Sequence, residues 1–562
     1  MTALLTENLP LLARAPNGIK KLRELILMLA VRGKLVLQDS NDEPASELLK
    51  RITEEKDQLA AQGKIKKQKP QAEITEEEKL FDLPTGWEWV RFGKLIVLIS
   101  GQHLGPEEYF EQPKDGSIPY LTGPADFGEI FPLPTRHTFE RRAISVEGDI
   151  LLTVKGSGVG KTNFVNQPAL AISRQLMAIR PTLVDAQFAR NMLLSMAEHF
   201  QSKSIGIAIP GISREDVLDS VIGIPPLDEQ LRIVAKVDEL MALCDRLEAQ
   251  QADAESAHAR LVQALLDSLT QASDATDFAN SWQRLAEHFH TLFSTESSID
   301  ALRQSLLQLS VMGKLVPQDR SDKPVSDLLA HIAEEKTRLV AEGKLKKQKP
   351  LLEITDAEKP FGLPEGWEWV RLDSLLKKIG AGSTPLGGKQ GYVSEGIKFL
   401  RSQNVWDEGL RLDDVALIPE STHQKMSGTH VEAGDLLFNI TGASIGRCAV
   451  VPDDFDTGNV SQHVTIIRPI AGTLRYFLHV VMTSQLVQKT VMDVQVGVSR
   501  EGLSIGKLAQ FVIPCPPEAE QHRIVAKVDQ LMTLCDQLKA RLTQARQFNG
   551  HLTSTLIEQA MA

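Results

Sequence analysis

One glycine-rich stretch has residues that could bind a nucleotide. Residues 155–162 read KGSGVGKT and follow an apolar run, as the phosphate-binding loop of a nucleotide hydrolase does. The Walker pattern, however, requires glycine five residues before its second glycine, and Lys155 stands there. The related stretch TGASIGRC, residues 441–448, carries Arg447 and Cys448 where such a loop needs Lys and Ser or Thr. We therefore expect a tight turn that presents small and basic groups, and such turns can contact DNA phosphates through backbone amides.

Other residue types that often support catalysis lack the spacing that catalysis or metal binding requires. The candidates are His103, His137, His423 and His463, and the cysteines Cys244, Cys448, Cys515 and Cys535. The histidines have no metal-ligand spacing, and the cysteines have no paired spacing for zinc or redox exchange. An amino-methyltransferase signature and a glycine-rich cofactor motif are also missing. We predict no catalytic residue and no metal site, and we expect the cysteines to be small buried hydrophobic residues.

Length and charge restrict the class of protein. A chain of 562 residues can form roughly three or four domains. The net charge of −11 excludes a general polycationic grip on nucleic acid, although a local DNA-binding face remains possible. No apolar run approaches the roughly 18 residues of a membrane span, and charged residues interrupt the leucines near the N-terminus. The sequence therefore predicts a soluble cytoplasmic protein.

The chain is an internal duplication of one unit. Residues 33–91 recur at 313–371, with an offset of 280 and 38 of 59 positions identical. The polar stretch 270–282 joins the two copies and is typical of a linker or a helix extension. Lysine-rich runs at 63–70 and 343–350 occur in both copies, either to contact phosphate or to form a solvated face. Because internal duplication determines the fold, we expect two structurally equivalent halves.

Each copy continues into a long predicted helix. PPLDEQLRIVAKVDELMALCDRLEA at 225–249 matches PPEAEQHRIVAKVDQLMTLCDQLKA at 516–540, and acidic residues follow the prolines as a helix start favours. Apolar residues then return at heptad spacing, which predicts that the two helices pair with each other. The heptad positions are Ile233, Val237, Leu240, Cys244, Leu247, Ala254, Leu261 and Leu265, and Ile524, Val528, Leu531, Cys535, Leu538, Leu542, Ala545, Leu552 and Leu556. Gln251, His258 and Asn549 interrupt this seam, and such polar residues can fix helix register.

The middle of each copy diverges far more than the frame around it, which indicates that the two middles bind different ligands. A thin skeleton survives: GDILLTV at 148–154 matches GDLLFNI at 434–440, and GISRE at 211–215 matches GVSRE at 497–501. Each middle opens with GWEWVR, whose alternation fits a strand with one buried face. We expect its tryptophans, Trp87, Trp89, Trp367 and Trp369, to anchor the core and not to stack on bases.

These motifs, in one order and twice, resemble the specificity subunit of type I restriction-modification systems, in a longer subclass. The resemblance covers nearly the whole chain. It implies an α+β fold: a tandem duplication of mixed α/β target recognition domains separated by two long antiparallel coiled-coil helices. It also implies a noncatalytic subunit in which each recognition domain binds one half of a bipartite sequence in double-stranded DNA.

The resemblance further implies the partners and cofactors of the complex. Two methyltransferase subunits that use S-adenosylmethionine would dock on the helices, and restriction subunits would add ATP and Mg chemistry. We expect no cofactor in this chain and no membrane partner. Two alternatives stay open: a P-loop-like nucleotide-binding protein built on residues 155–162, and a coiled-coil scaffold without a DNA role.

The repeats and the resemblance together divide the chain into six segments. They are a helical conserved segment (1–86), target recognition domain 1 (87–224), a long central helix with linker (225–280), a second helical conserved segment (281–366), target recognition domain 2 (367–515) and a C-terminal long helix (516–562).

Base recognition needs polar side chains on loops, and our candidates lie where the two copies differ. After matching strands, one copy has Thr122 where the other has Arg401, Gln403 and Asn404. Arg, Gln and Asn are the types that bind guanine and adenine edges in bidentate fashion. Further candidates are Lys155, Ser157, Lys161, Arg174 and Gln175 in the first copy, and Ser444, Arg447, Gln462 and His463 in the second. Arg214 and Arg500 are common to both copies, so we assign them to phosphate contact or to the fold.

Overall fold

The computed structural model describes residues 15–66, 71–204, 211–345, 351–496 and 502–561. The chain divides into two compact units, Met1–Ala254 with Ala545–Ala562 (unit 1) and Glu255–Gln544 (unit 2). Each long helix contributes to both units. The finer division into six segments stays a prediction. Most of the two lysine-rich runs and the GVSRE motif lie outside the described residues.

Most helices of the first copy recur in the second, which adds α8, α9 and α12. The helices of the described residues are α1 (Gly18–Val31), α2 (Ala45–Ala61), α3 (Phe92–Leu95), α4 (Ala186–Ser195), α5 (Ala197–Ser204), α6 (Arg214–Leu218), α7 (Leu227–Thr270), α8 (Ala275–Glu287), α9 (Phe289–Leu292), α10 (Glu296–Val311), α11 (Val325–Ala341), α12 (Glu420–Lys425), α13 (Leu474–Thr483), α14 (Gln485–Val496), α15 (Ile505–Ala509) and α16 (Glu518–Met561). The sequence predicts either a linker or a helix extension for the polar stretch 270–282. In the structure this stretch contains most of α8.

The strands of unit 1 form three sheets. They are β1 (Glu88–Arg91), β2 (Ile96–Ser100), β3 (Tyr109–Phe110), β4 (Ile118–Leu121), β5 (Arg136–Thr138), β6 (Ile144–Ser145), β7 (Ile150–Thr153), β8 (Thr162–Phe164), β9 (Leu170–Ile172), β10 (Leu176–Pro181) and β11 (Val221–Ile224). The orders are β2-β10-β7-β8, β3-β5-β4-β9-β6 and β1-β11. The β4–β9 pair is parallel and the other pairs are antiparallel.

Unit 2 repeats this topology. Its strands are β12 (Glu368–Arg371), β13 (Leu376–Ala381), β14 (Ile397–Leu400), β15 (Val405–Trp406), β16 (Gly409–Leu410), β17 (Ala416–Ile418), β18 (His430–Val431), β19 (Leu436–Asn439), β20 (Cys448–Val450), β21 (Gly458–Val460), β22 (Val464–Pro469) and β23 (Val512–Cys515). The orders β13-β22-β19-β20, β17-β14-β21-β18 and β12-β23 correspond to those of unit 1, except that the second of these sheets has no strand equivalent to β3. The strands β15 and β16 add a hairpin. The predicted duplication is therefore confirmed at the level of strand order.

The apolar runs that both copies share become strands buried on both faces. In β7, Ile150 and Leu152 join the core that contains α1, whereas Leu151 joins the core between the two larger sheets of the module. In β19, Leu436 and Phe438 face one core and Leu437 the other. A strand covered on both sides requires apolar residues at successive positions, which explains why these motifs do not alternate.

A buried hydrogen-bond cluster joins each tryptophan box to the start of a long helix. Trp87 Nε1 donates to Glu229 Oε2 at 3.1 Å, and Gln38 Nε2 donates to the other oxygen at 3.1 Å. In the second copy, Trp367 and Gln318 donate to Glu520 at 2.9 and 3.1 Å. Burial raises the pKa of both glutamates, although these donors counteract it. The prediction that the tryptophan boxes anchor the core is thus confirmed for Trp87 and Trp367, whose rings are buried.

The long helices have 44 residues each, and their seam differs from the prediction. Ile233, Val237 and Cys244 are buried in the core formed with α1. The middle of each helix, 248–257 and 543–549, is instead exposed at every residue. The heptad positions Ala254, Leu261, Ala545 and Leu552 are also exposed. The prediction of a continuous buried seam between the helices is therefore wrong at these positions. A heptad pattern identifies an apolar face but not its partner, and much of this face packs on frame helices.

The two helices still share a core where each ends. In unit 2, Val262, Leu266 and Leu269 near the end of α7 lie in one core with Leu531 and Leu538 from the first half of α16. In unit 1, Ile557 near the end of α16 packs on the core that contains the start of α7. In each unit the beginning of one long helix therefore shares a core with the end of the other, as antiparallel helices require.

The polar interruptions of the seam do not lie in a buried interface. Gln251 and Asn549 are exposed, and His258 Nε2 lies 3.1 Å from the carbonyl oxygen of Thr291 in the α9 turn. A polar residue fixes register from inside a packed seam, and these two amides lie at the surface instead. The predicted register role of Gln251 and Asn549 is therefore not supported.

Candidate nucleic-acid interface

In unit 1, five chain segments converge at one end of the module. The amides of Gly101 and Gln102 donate to Leu176 O and Ile172 O, both at 3.0 Å. Further main-chain bonds run from Ser173 N to Leu121 O, from Val154 N to Gln175 O and from Ile212 N to Val154 O, at 2.9 to 3.0 Å. We call the segments 100–102, 122–126, 154–161, 173–175 and 211–214 loop cluster 1.

Loop cluster 1 contains every candidate that the sequence placed in the first copy. Lys155, Ser157, Lys161, Arg174 and Gln175 are exposed. Across the described residues, the side chains of Lys155, Lys161 and Arg174 have no hydrogen-bond or ion-pair partner. Their charges are therefore available to an anionic ligand.

The remaining candidates of this cluster are partly engaged. Thr122 Oγ1 donates to Asp126 Oδ2 at 3.0 Å, which fixes the start of its loop. Arg214 Nη1 donates to Ser100 Oγ at 3.1 Å, and helix α6 begins at this arginine, capped by Ser213. Arg214 thus links two segments of the cluster while its side chain stays partly exposed.

The glycine-rich stretch is a hairpin loop and not a nucleotide-binding loop. Residues 154–161 connect β7 to β8, and these strands pair antiparallel. Thr153 N donates to Lys161 O at 2.8 Å and Gly160 N donates to Thr153 O at 3.0 Å, so the loop closes on itself. A Walker loop connects a strand to a helix whose N-terminus faces the phosphates. The nucleotide-hydrolase alternative is therefore not supported.

Unit 2 contains an equivalent arrangement with the same main-chain bonds. The amides of Gly382 and Ser383 donate to Val464 O and Val460 O at 3.0 and 3.2 Å. The other bonds run from Ser461 N to Leu400 O, Ile440 N to His463 O and Leu503 N to Ile440 O, at 2.8 to 3.0 Å. We call the segments 382–384, 401–411, 440–447, 461–463 and 502–504 loop cluster 2. Arg500 lies outside the described residues. Ser504 caps α15 as Ser213 caps α6, so the residue equivalent to Arg214 is Ile505, and the predicted equivalence of Arg214 and Arg500 is wrong.

Two glycines that the sequence analysis missed hold these clusters closed. A Cβ on Gly101 or Gly382 would lie closer than 3.0 Å to the backbone of Ser173 or of Val460 and Ser461. Only glycine lets two backbones approach this closely. The signal was a glycine just after the corresponding strand in each copy, at SGQ and AGS.

The turn after β14 is held largely by its own side chains. Arg401 Nη2 donates to Asp414 O and Gln403 Nε2 to Asp414 Oδ2, both at 2.8 Å. Asn404 is only 2% exposed, and its side chain accepts from Arg401 N and donates to Arg411 O. Arg401 and Gln403 thus reach the surface tied to an acid, whereas Asn404 shapes the turn.

The other candidates of loop cluster 2 form two small networks. Asn439 Nδ2 donates to Ser402 O at 2.9 Å and to Ser444 Oγ at 3.2 Å, which joins two segments. Gln462 accepts from Thr384 Oγ1, and its amide lies 3.1 Å from His463 Nε2. His463 Nδ1 in turn contacts Thr441 Oγ1. Gln462 and His463 are exposed, so they can still meet a ligand.

Trp406 of loop cluster 2 has two guanidiniums over its ring. The Arg411 and Arg447 carbons lie 3.5 and 3.6 Å from its ring centroid. Next to it, Asp407 Oδ1 accepts from Cys448 N at 2.9 Å. Burial raises the pKa of Asp407, against the smaller opposing effects of the Cys448 amide, His479 and Arg447. Sequence reasoning selected Arg447 but not Trp406 or Arg411.

Three further observations concern metal ligands, cysteines and membrane helices. The described residues contain no group of three or more His, Cys, Asp or Glu side chains that could hold a metal ion. All four cysteines are buried and unpaired, as predicted. Within the same residues, no helix has the length and apolarity that crossing a membrane requires.

Comparison with known proteins decides the family. The model of the type I restriction modification DNA specificity domain matches twice, at residues 84–255 and 364–545. The chain belongs to this family. It is 37% identical to the type I restriction enzyme EcoAI specificity subunit of Escherichia coli, over 97% of this chain and 94% of that protein. It is 36% identical to the EcoEI specificity subunit of the same species, with the same coverage.

The specificity family also includes solved structures. The HsdS subunit from Thermoanaerobacter tengcongensis aligns over 86% of this chain and 98% of that chain, at 18% identity and a TM-score of 0.38. That score is too low to support an argument about detail. The family assignment of this specificity subunit rests on the two matched domains and on the E. coli relatives.

Proposed function

We propose that this specificity subunit recognises a bipartite sequence in double-stranded DNA, one half with each loop cluster. The observation that carries the proposal is that one main-chain scaffold occurs twice and presents different side chains each time. A duplicated scaffold with identical surfaces would bind two copies of one ligand. Scaffolds with different surfaces suit two different base sequences, because base-edge hydrogen bonds carry sequence information.

We assign the candidate residues to two roles. Thr122, Gln175, Arg401, Gln403, Ser444, Arg447, Gln462 and His463 are proposed to contact base edges. Lys155, Ser157, Lys161 and Arg174 contact bases or phosphates, and Arg214 and Arg500 contact phosphate. Asn404 keeps its place in loop cluster 2 but positions the turn, because its amide is buried and satisfied.

The proposed partners follow from the frame. Because 38 of 59 frame positions are identical between the copies, the frame suits two copies of one partner, and we propose two methyltransferase subunits. Restriction subunits complete the complex, whose S-adenosylmethionine and ATP with Mg belong to those partners. This chain is noncatalytic and acts in the cytoplasm. The six segments defined by the sequence remain our proposed domain division.

The long helices are proposed to set the spacing between the two half-sites. A helix of 44 residues extends about 66 Å at 1.5 Å per residue, enough to hold two DNA-binding modules apart. Spacer length in the DNA should therefore follow helix length. The scaffold alternative without a DNA role gives no reason for exposed, unpartnered cations to gather in loop cluster 1.

Exchange of one module tests this proposal. Replacing residues 92–222 with the corresponding module of another family member should change one half of the methylated sequence and leave the other half intact. The change is followed by mapping methylated sites in cells that carry the chimaera and its methyltransferase. A change in both halves, or in neither, would refute the assignment of one half-site to each module.

A further inference from the structure

The stack of Arg411, Trp406 and Arg447 is a built feature of the surface. Trp406 is itself fixed, because its Nε1 donates to Gln403 O at 2.8 Å. With guanidinium carbons at 3.5 and 3.6 Å from its ring centroid, the indole holds both cations by cation–π interactions. A stacked guanidinium keeps a defined plane and loses less conformational freedom when it binds.

Apart from their contact with the Trp406 ring, both guanidiniums lack a partner within the part of the chain that the structure describes. Among the described residues, neither Arg411 nor Arg447 makes a side-chain hydrogen bond or an ion pair. The carboxylate of Asp407, the adjacent acid, accepts the Cys448 amide instead. Two planar sets of N–H donors are therefore held against the ring, and no described residue supplies an acceptor for their side-chain N–H groups.

The stack connects segments of loop cluster 2 that already hold other candidates. Trp406 and Arg411 come from the 401–411 segment, whereas Arg447 comes from the 440–447 segment. The Asn439 side chain donates to Ser402 O and to Ser444 Oγ, and it therefore joins the same two segments. The two segments that carry the guanidiniums are thus held together by hydrogen bonds as well as by the ring.

Loop cluster 1 lacks this device at the corresponding positions. Phe127 stands where the second copy has Trp406, and Lys161 where it has Arg447. Of these, Phe127 forms an isolated bridge with Pro132 in place of the β15–β16 hairpin. A lysine is a point charge, whereas arginine offers a planar fork that matches two acceptors at once. The two clusters therefore differ in the kind of acceptor that they can recognise.

We infer that the Arg411–Trp406–Arg447 stack is the guanine-recognition element of loop cluster 2, and that the half-site bound there contains guanine. Guanine offers O6 and N7 as two adjacent acceptors, the pattern that an arginine fork fits in bidentate fashion. Arg411 and Arg447 supply the donors, and Trp406 is a positioning residue. This inference rests on the proposed function and specifies what one half of the target contains.

The test uses the full chain with its methyltransferase subunits and maps methylated sequences in cells. In Arg447→Lys or Arg411→Lys, the charge stays but the fork is lost. At least one of these variants should methylate sites with guanine at one position of that half-site roughly 10- to 100-fold less selectively. The other half-site should stay unchanged. Trp406→Leu should relax the same position, which a purely structural role of the ring would not do.

Arg475→Lys is the matched control. Arg475 also lies over an aromatic ring of unit 2, Tyr476, but it is paired with Asp453 and lies outside loop cluster 2. This variant should keep the wild-type sequence. Melting temperatures of all four variants show whether Trp406→Leu is folded. If it is not, the substitutions of Arg411, which is exposed, and of Arg447, which is half-buried, still test the inference.

Two outcomes would overturn the inference. One is a guanine preference that survives both Arg→Lys substitutions, and the other is a half-site without guanine. In both cases a split target sequence would still support the proposed function. Absence of any split sequence in the wild type would instead remove the proposed function itself.

Discussion

Removing the three unpartnered cations of loop cluster 1 should weaken the salt dependence of DNA binding. The variant Lys155→Gln, Lys161→Gln, Arg174→Gln loses side chains that are exposed and have no partner among the described residues. Each cation that neutralises a phosphate contributes about 0.9 to the slope of log K against log salt concentration. If all three contact phosphate, the slope becomes shallower by about 2.7. Between 50 and 200 mM salt, wild-type affinity should then fall about 40-fold more than that of the variant.

A matched variant separates phosphate contact from net charge. Lys50, Arg51 and Lys79 are also cations of unit 1, but Glu47, Glu43 and Glu76 pair with them at 2.5 to 2.7 Å. Changing these three to Gln alters the net charge equally and should leave the slope near the wild-type value. The assay is equilibrium binding of the full chain to duplex DNA at several salt concentrations. Equal slopes for wild type and the loop variant would refute the phosphate assignment.

Two substitutions test contacts that stabilise the fold. Gly382→Ala should lower the free energy of unfolding by about 1–3 kcal/mol because its Cβ meets backbone, whereas Gly380→Ala, with nothing within 4 Å, should not. Equal melting temperatures for the two would contradict the close approach. Glu229→Gln should cost about 1–3 kcal/mol, because Trp87 and Gln38 donate to different carboxylate oxygens and one of them would then face an NH2 donor. The exposed Glu239→Gln is its control, and a chemical denaturation curve that distinguishes neither from wild type would disprove the buried acceptor role.

The sequence was sufficient to predict the duplication, and the duplication predicted the repeated strand order. It also located the tryptophan boxes, because an apolar strand that enters a core leaves a local pattern. Loop candidates such as Lys155 and Arg174 were selected by comparing equivalent positions of the two copies, and their role in DNA binding stays a prediction. These successes depend on patterns within short stretches or on comparison of one copy with the other.

Features that depend on contacts between distant residues could not be predicted in this way. The seam of α7 marks an apolar face, but only the fold shows that Ile233 and Val237 pack in the core with α1. Nothing near Asn404 shows that its amide is buried, and Trp406 gains its two guanidiniums from segments about 40 residues apart in sequence. Such arrangements depend on loop closure, which propensity and periodicity do not encode.

The central claim is that one chain specifies two different half-sites, and mapping of methylated DNA tests it most directly. Cells that carry this chain with its methyltransferase should show adenine methylation at a sequence of two specific parts separated by a spacer of fixed length. A single continuous sequence, or methylation without sequence preference, would contradict the account.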